Sequence, residues 1–147
     1  MADLQDLYQS IILDHNRRPK NYGALEGATC SAEGRNPLCG DEVKVELVVG
    51  TGGIEDVKFT ASGCAVSRAS ASIMTQAVKG KSRAEVEQIF TRFHELVTGK
   101  LKPEPTEARA MGEMAAFSGV SQFPIRVKCA SMPWHTLRKA LEDAASA

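Results

Sequence analysis

The chain has 147 residues, enough for one domain over residues 1–147 whose core forms without a metal or a disulfide. Its 18 Lys and Arg residues balance its 18 Asp and Glu residues, so the composition argues against a nucleic-acid partner. The acidic first residues, and the lack of an apolar run of about 18 residues, predict a cytoplasmic protein with no membrane attachment. In a reducing compartment the 4 cysteines are expected to be metal ligands, reactive thiols or core residues rather than disulfides.

The first part of the chain predicts one helix and three strands. Apolar residues at helical spacing predict a helix over 3–17, with His15 as a solvated histidine in its last turn. A short strand is predicted over 28–34. Alternating apolar and polar residues then predict two strands, 43–49 and 57–61, which a glycine-rich turn joins in a hairpin.

The rest of the chain is predicted to be helical. Small residues over 65–78 favour a helix that starts just after Cys64. Further helical segments are expected to begin at Ser82, Thr106, Gln122 and Ser131. The break before the last of these would place Cys129 at a helix boundary, with Pro133 in the first turn of the final helix. Three strands followed by helices indicate an α+β fold: a small three-stranded antiparallel sheet with helices packed against it, in a single domain.

The turn Asn36-Pro37-Leu38-Cys39-Gly40-Asp41 places a thiol and a carboxylate two residues apart, just before a strand. Residues i and i+2 of extended backbone point to the same side, so Cys39 and Asp41 can reach one metal ion together. Gly40 between them lets the backbone bend close to that ion. Two such anionic donors are half of a tetrahedral site, and Cys64 and Cys129 are the candidates for the other half.

Cys64 lies where a strand gives way to a helix. The unpaired N–H groups and the positive dipole end of a helix N-terminus favour thiolate over thiol, which prepares a metal ligand or a nucleophile. A small buried cysteine of the core is an equally good interpretation of the local sequence.

Cys129 follows two cations, Arg126 and Lys128, which also favour a thiolate. Three thiolates and one carboxylate around a divalent ion sum to a charge of minus two, so Arg126 could act as a counter-ion. A solvated helix face that carries both cations explains the spacing equally well. Cys30 has no glycine turn, carboxylate or cation beside it, and we interpret it as a structural residue.

Three segments together carry a resemblance to a known family. Residues 36–41, 63–67 and 126–130, in this order, resemble the signature segments of the IscU and NifU N-terminal family of iron–sulfur cluster assembly proteins. The resemblance covers nearly the whole chain and implies a SufE/NifU-like fold. It also implies that Cys39, Asp41, Cys64 and Cys129 bind zinc, with an iron–sulfur cluster as the alternative cofactor.

Within that family the chain resembles the SufU branch more than the IscU branch. Lys128 stands where IscU proteins place a histidine, and residues 122–126 replace their chaperone-binding motif. The resemblance therefore implies a SufS-type cysteine desulfurase and the downstream Suf assembly complex as partners, and it argues against the chaperone of the IscU pathway.

The resemblance and the chemistry of the thiols lead to three functional hypotheses. The first is a sulfurtransferase-type accessory protein in which Cys39, on a loop between Pro37 and Gly40, leaves the zinc and accepts persulfide sulfur from the desulfurase. The second is a scaffold on which a [2Fe–2S] cluster is assembled and passed on. The third is a purely structural zinc domain.

Overall fold

The structure, a computed structural model, describes residues 2–37 and 40–146 of the chain. The helices and strands in these ranges are α1 (Ala2–Arg17), β1 (Cys30–Asn36), β2 (Asp41–Gly50), β3 (Gly53–Ser62), α2 (Ala65–Val78), α3 (Arg83–Val97), α4 (Pro105–Met111) and α5 (Pro124–Ser146). Two 3-10 helices, Gly112–Phe117 and Val120–Gln122, connect α4 to α5. Across the described ranges, no helix combines the length and the apolar character that a membrane crossing requires.

The sheet is antiparallel with the strand order β1-β2-β3, which confirms the predicted α+β fold. Alternate residues of β2, such as Val43, Val45 and Leu47, are buried under the helices. The residues between them face outward, and one of them, Lys44, lies opposite Glu33 of β1 in the sheet register. One face of the sheet therefore forms the core, and the other is solvated.

Helices α2 and α5 cover the inner face of the sheet. Helix α3 packs against both of these helices. The Trp134 ring of α5 stacks on Phe93 of α3 with ring centroids 4.4 Å apart. Both rings are 1% exposed. The largest fully buried side chains are Trp134, Phe59, Phe93, Phe117, Leu47, Ile54, Met74, Leu96, Leu137, Val45, Val57 and Val78. This core draws on the sheet and on three of the helices, so we expect it to form without a metal ion.

The predicted bounds of β1 are wrong by two residues. The strand runs over Cys30–Asn36, and its register pairs Asn36 with Asp41, the first residue of β2. The difference matters because it places a polar side chain at the end of β1, directly across from a candidate ligand.

The prediction of a solvated His15 is wrong. Its side chain is only 3% exposed, with Nδ1 2.7 Å from Ser72 Oγ and Nε2 2.8 Å from Glu113 Oε2. The reason is that α1 packs on α2 while the Gly112–Phe117 helix covers its end. The sequence did contain a signal, because His15 continues the apolar stripe of Ile11 at a spacing of four residues.

The predicted break at Ser131 is also wrong, because α5 continues through Pro133 as one helix. Cys129 therefore lies inside α5 and not at a helix boundary. Pro133 has no N–H to donate to the Cys129 carbonyl four residues earlier, so the proline weakens the helix locally. Burial outweighs this cost, since the residues on both sides of the proline, from Cys129 to Leu141, include a continuous buried face.

Candidate metal centre

Three of the four predicted ligands lie together in space. One ligand atom of each of Asp41, Cys64 and Cys129 is within 4.8 Å of the other two. These residues come from the start of β2, the residue before α2 and the interior of α5. Cys39 lies outside the described residues, so its place in the site stays a prediction. Metal binding by the other three is likewise a prediction, and their proximity is the geometry on which it rests.

Asp41 is 1% exposed, and its two carboxylate oxygens have different surroundings. Oδ1 accepts a hydrogen bond from the Cys64 backbone N–H at 2.6 Å. Oδ2 is buried and has no hydrogen-bond partner among the described residues. Burying a carboxylate oxygen without a hydrogen-bond partner costs free energy, and a cation bound at this atom would offset that cost.

Gly63 is the residue that allows Asp41 and Cys64 to come so close. Its φ is +112°, a conformation that L side chains rarely adopt. A Cβ at this position would meet Asp41 Oδ1 and would lie 2.9 Å from Asp41 Cα. Any side chain at residue 63 would therefore push the carboxylate away from the Cys64 N–H.

Cys64 is the N-cap residue of α2, as the sequence predicts. It has extended backbone with φ −68° and ψ 142°, and its Sγ accepts the Val66 N–H at 3.4 Å. The side chain is partly exposed. The thiol thus replaces the usual serine or aspartate cap and is directed at the unpaired N–H groups of the first turn.

Cys129 is 1% exposed and faces the end of β1. Its Sγ lies 3.8 Å from Asn36 Nδ2, within hydrogen-bonding range for sulfur. The sequence pattern alone indicates no separate role for Asn36. The contact depends on the β1–β2 register and on the position of Cys129 inside α5, and residue spacing reveals neither.

A chain of hydrogen bonds holds α2 against α5 next to the site. Trp134 Nε1–H donates to Ser70 Oγ at 3.1 Å, and the Ser70 hydroxyl donates to the Ala130 carbonyl at 2.5 Å. Ser70 is fully buried. Because Ala130 follows Cys129, and Ser70 lies on the helix that Cys64 caps, these bonds keep the two thiols in a fixed relation.

Arg126 and Lys128 are both exposed on the first turns of α5. Within the part of the chain that the structure describes, neither forms an ion pair with a carboxylate. Their predicted supporting role toward the thiolates stays a prediction.

Cys30 stands apart from the three candidate ligands. It begins β1, six residues from Asn36, which corresponds to about 20 Å of extended chain. Desolvation at the margin of the core raises the pKa of its thiol, although the Thr29 side chain and Arg83 act in the opposite direction. Cys30 is thus a partly buried neutral thiol, in keeping with the structural role predicted for it.

Comparison with known families identifies the family to which this chain belongs. The family model of the NifU-like N-terminal domain matches residues 7–130. The chain belongs to the NifU N-terminal domain family. The resemblance to this family is therefore confirmed. The three clustered side chains lie in the three segments on which the resemblance was based.

Members of the NifU family that resemble this chain bear two kinds of name. The iron–sulfur cluster assembly scaffold protein IscU of Streptococcus pyogenes is 36% identical over 147 residues, which is 100% of this chain and 90% of that protein. The zinc-dependent sulfurtransferase SufU of Bacillus subtilis is 37% identical over 140 residues, or 95% and 92% of the two chains. The chain is therefore a member of an iron–sulfur cluster assembly scaffold family that includes SufU.

A solved structure supports the same family. The crystal structure of a putative iron–sulfur cluster assembly scaffold protein for the SUF system, from Fervidobacterium islandicum, superposes with a TM-score of 0.80 at 35% identity. The match covers 89% of this chain and 93% of that one.

The clustered residues fit a metal ion of the zinc or iron class. Two thiolates and one carboxylate are ligands that tetrahedral zinc accepts, and thiolate-rich sites also suit iron. The buried Asp41 Oδ2 without a partner is the observation in favour of a cation here. Asp41, Cys64 and Cys129 could hold it, and Cys39 would be the fourth ligand.

Proposed function

We propose that this protein is a zinc-dependent sulfur carrier of iron–sulfur cluster assembly. It takes sulfur from the persulfide of a SufS-type cysteine desulfurase and passes it to the downstream Suf assembly complex. In this proposal residues 1–147 form one SufU-type domain, and Cys39, Asp41, Cys64 and Cys129 are the zinc ligands.

The observation that carries the proposal is the cluster of Asp41, Cys64 and Cys129 within 4.8 Å. These residues are far apart in sequence, yet the start of the central strand β2, the cap of α2 and the interior of α5 bring them together. Asp41 and Cys129 are almost completely buried, whereas Cys64 is partly exposed. A site of this kind is closed on the core side and open toward a partner on the other.

Cys39 is the proposed sulfur acceptor because its position differs from that of the other ligands. It follows Pro37 in the connection between β1 and β2 and precedes Gly40, which has a φ of +70°. Cys64 and Cys129 belong instead to the cap and the interior of helices. A ligand in a short connection can leave the site while the helical ligands stay in place.

The transfer step is a thiolate–persulfide exchange. The Cys39 thiolate attacks the terminal sulfur of the desulfurase persulfide and forms a new S–S bond. The S–S bond of the donor breaks, and the desulfurase cysteine leaves as a thiolate. One sulfur atom moves and no outside oxidant or reductant is needed. Zinc suits such a site because it keeps thiols deprotonated at neutral pH and has no redox chemistry of its own.

A scaffold for a [2Fe–2S] cluster is the second candidate. The mixed carboxylate and thiolate set favours it, because such ligation makes a cluster easier to release than four thiolates would. The name of the Streptococcus pyogenes relative also supports it. Lys128, in the position where IscU proteins place a histidine, favours the sulfur carrier instead.

Metal content and the optical spectrum of freshly purified protein separate these candidates. The proposal predicts one equivalent of zinc and no visible absorption. A coloured protein that contains iron and inorganic sulfide would contradict the zinc carrier and favour the scaffold. A zinc protein without any effect on a SufS-type desulfurase would instead favour a structural zinc site.

The role of Cys39 is tested by the rate of desulfurase turnover with and without this protein. Cys39→Ala is expected to abolish stimulation of the desulfurase. Cys30→Ala is the matched control, since it removes a thiol distant from the site, and it should stimulate like the wild-type protein. A folded Cys39→Ala protein that still stimulates would overturn the assignment.

A further inference from the structure

Each of the three clustered side chains accepts a hydrogen bond from an N–H group. The Cys64 N–H donates to Asp41 Oδ1, and the Val66 N–H donates to Cys64 Sγ. Cys129 Sγ has the Asn36 side-chain amide. Of these donors only Asn36 uses a side chain, so it is the one that evolution or an experimenter can change independently of the backbone.

Asn36 occupies a position that links several parts of the site. It is 7% exposed, ends β1 and pairs in the sheet with Asp41. The connection that carries Cys39 starts at the next residue. Asn36 and Asp41 therefore frame this connection, and the Asn36 amide reaches from its base to Cys129 on α5.

The charge of the proposed site explains why a donor is needed at Cys129. Three thiolates and a carboxylate around a divalent ion leave an excess charge of minus two. Arg126 and Lys128 are exposed, whereas Cys129 is 1% exposed. A buried thiolate is stabilised by fixed N–H dipoles that lie close to the sulfur.

We propose that Asn36 is a positioning residue for the metal site, which holds Cys129 and stabilises its thiolate through an N–H···S hydrogen bond. The inference rests on the proposed function in that it needs a metal bound at Cys129. It goes further by assigning a role to a residue outside the ligand set. Because the amide ties Cys129 to β1, this ligand stays in place when Cys39 leaves to accept sulfur.

The test uses cobalt(II) as a spectroscopic substitute for zinc in the full-length protein, with zinc affinity measured by chelator competition. Asn36→Ala removes the donor, and Asn36→Asp places an acceptor with negative charge beside the sulfur. Asn21→Asp is the matched control, because the Asn21 amide donates to Thr75 Oγ1 away from the site. Circular dichroism of each apoprotein shows whether it is folded.

The inference predicts zinc affinity weaker by about 10- to 100-fold for Asn36→Ala, with a larger loss for Asn36→Asp. It also predicts that the sulfur-to-cobalt charge-transfer band of Asn36→Ala shifts to lower energy, because the sulfur is then richer in electrons. Asn21→Asp should keep the wild-type affinity and spectrum. If Asn36→Asp does not fold, Asn36→Ala decides the question.

The outcomes that would contradict the role of Asn36 differ from those that would contradict the proposed function. A folded Asn36→Ala protein with wild-type affinity and spectrum would overturn the role of Asn36 and leave the zinc site standing. An affinity loss without any spectral shift would mean that Asn36 only supports the fold of β1, and this would overturn the N–H···S assignment. A wild-type protein that binds neither zinc nor cobalt would overturn the proposed function and this inference with it.

Discussion

At the scale of single residues, the geometry of the site depends on Gly63 as much as on the candidate ligands. The carboxylate of Asp41 accepts the Cys64 N–H only because no side chain stands between them. The glycine conformation, with φ of +112°, thus sets the distance between a β2 residue and the cap of α2.

Gly63→Ala is expected to lower the free energy of unfolding by about 1–3 kcal/mol, because alanine is strained at this φ and its Cβ meets Asp41. The same change should weaken zinc binding. Denaturant titration measures the free energy of unfolding, and chelator competition measures the zinc affinity. Gly52→Ala is the control, since a Cβ there meets nothing within 4 Å. Equal stability and equal zinc affinity of the two variants would contradict this account of the site.

Individual residues also show what sequence alone can and cannot reveal. Asp41, Cys64 and Cys129 can be predicted as metal ligands from the sequence, because the residue type alone shows that a thiolate or a carboxylate can bind a metal ion. Asn36 and Gly63 could not be given roles, because both act through distances of a few ångströms that exist only after folding. His15 differs from these two residues, because its spacing from Ile11 does indicate burial, whereas its partners Ser72 and Glu113 are distant in sequence and are revealed only by the fold.

At the scale of elements, the relation between α2 and α5 determines how far Cys64 lies from Cys129. Ser70 of α2 is part of this contact, and the hydrogen bonds from Trp134 to Ser70 and from Ser70 to Ala130 fix its register. A buried indole N–H without an acceptor would be costly, so Ser70 is required where the two helices meet.

Ser70→Ala is expected to cost about 1–3 kcal/mol of unfolding free energy, because it leaves Trp134 Nε1–H buried without its acceptor. Denaturant titration measures the change. Ser10→Ala, an exposed position on α1, should stay within about 0.5 kcal/mol of the wild-type protein. If Ser70→Ala proved as stable as Ser10→Ala, the hydrogen bonds would not hold the helices together.

The contact between α3 and α5 predicts a pH dependence of stability. The His135 ring packs edge-on against Phe90 at 5.2 Å and lies 6.0 Å from His94. Desolvation, followed by the charges of His94 and Arg138, lowers the pKa of His135 in the folded protein. The unfolded chain then binds more protons near the ordinary histidine pKa, so this histidine lowers stability as the pH falls below about 6.5.

Replacing this histidine by glutamine should therefore remove part of the acid destabilisation. The measurement is the urea midpoint of the wild-type protein and of His135→Gln at about pH 5 and about pH 7.5. The difference between the urea midpoints at the two pH values should be smaller for the variant than for the wild-type protein. Lys139→Gln, an exposed neighbour on α5, should retain the wild-type difference. An unchanged difference for His135→Gln would contradict the assigned cause.

The elements divide into those that local sequence determines and those that packing determines. The helix predicted over 65–78 and the helix start predicted at Ser82 are confirmed, because caps and glycine stops act within a few residues. The final helix was predicted in two pieces, because Ser131 and Pro133 are strong local start signals. Burial of the α5 face against the sheet outweighs those signals, and no local pattern shows that.

At the scale of the whole molecule, the hydrophobic core and the candidate metal site consist largely of different residues. The core lies between the inner face of the sheet and helices α2, α3 and α5, and its largest members are not candidate ligands. A metal bound at the candidate site would therefore add stability to a domain whose core is built from other residues. This is the physical difference between a carrier and a structural zinc domain.

The protein is accordingly expected to remain folded after chelation. Treatment with a chelator, followed by far-ultraviolet circular dichroism and a thermal melt, should show native secondary structure and a cooperative transition at a lower temperature. Elemental analysis of the same sample confirms that the metal is gone. An unfolded apoprotein would contradict the proposed carrier and favour a zinc site that exists to stabilise the fold.

The most direct measurement for the account as a whole is the location of transferred sulfur. The protein is incubated with a SufS-type desulfurase and cysteine, alkylated and digested, and each cysteine peptide is weighed by mass spectrometry. The account predicts one added sulfur atom on the Cys39 peptide and none on the Cys30 peptide. Sulfur on another cysteine, or on none of the four, would contradict it.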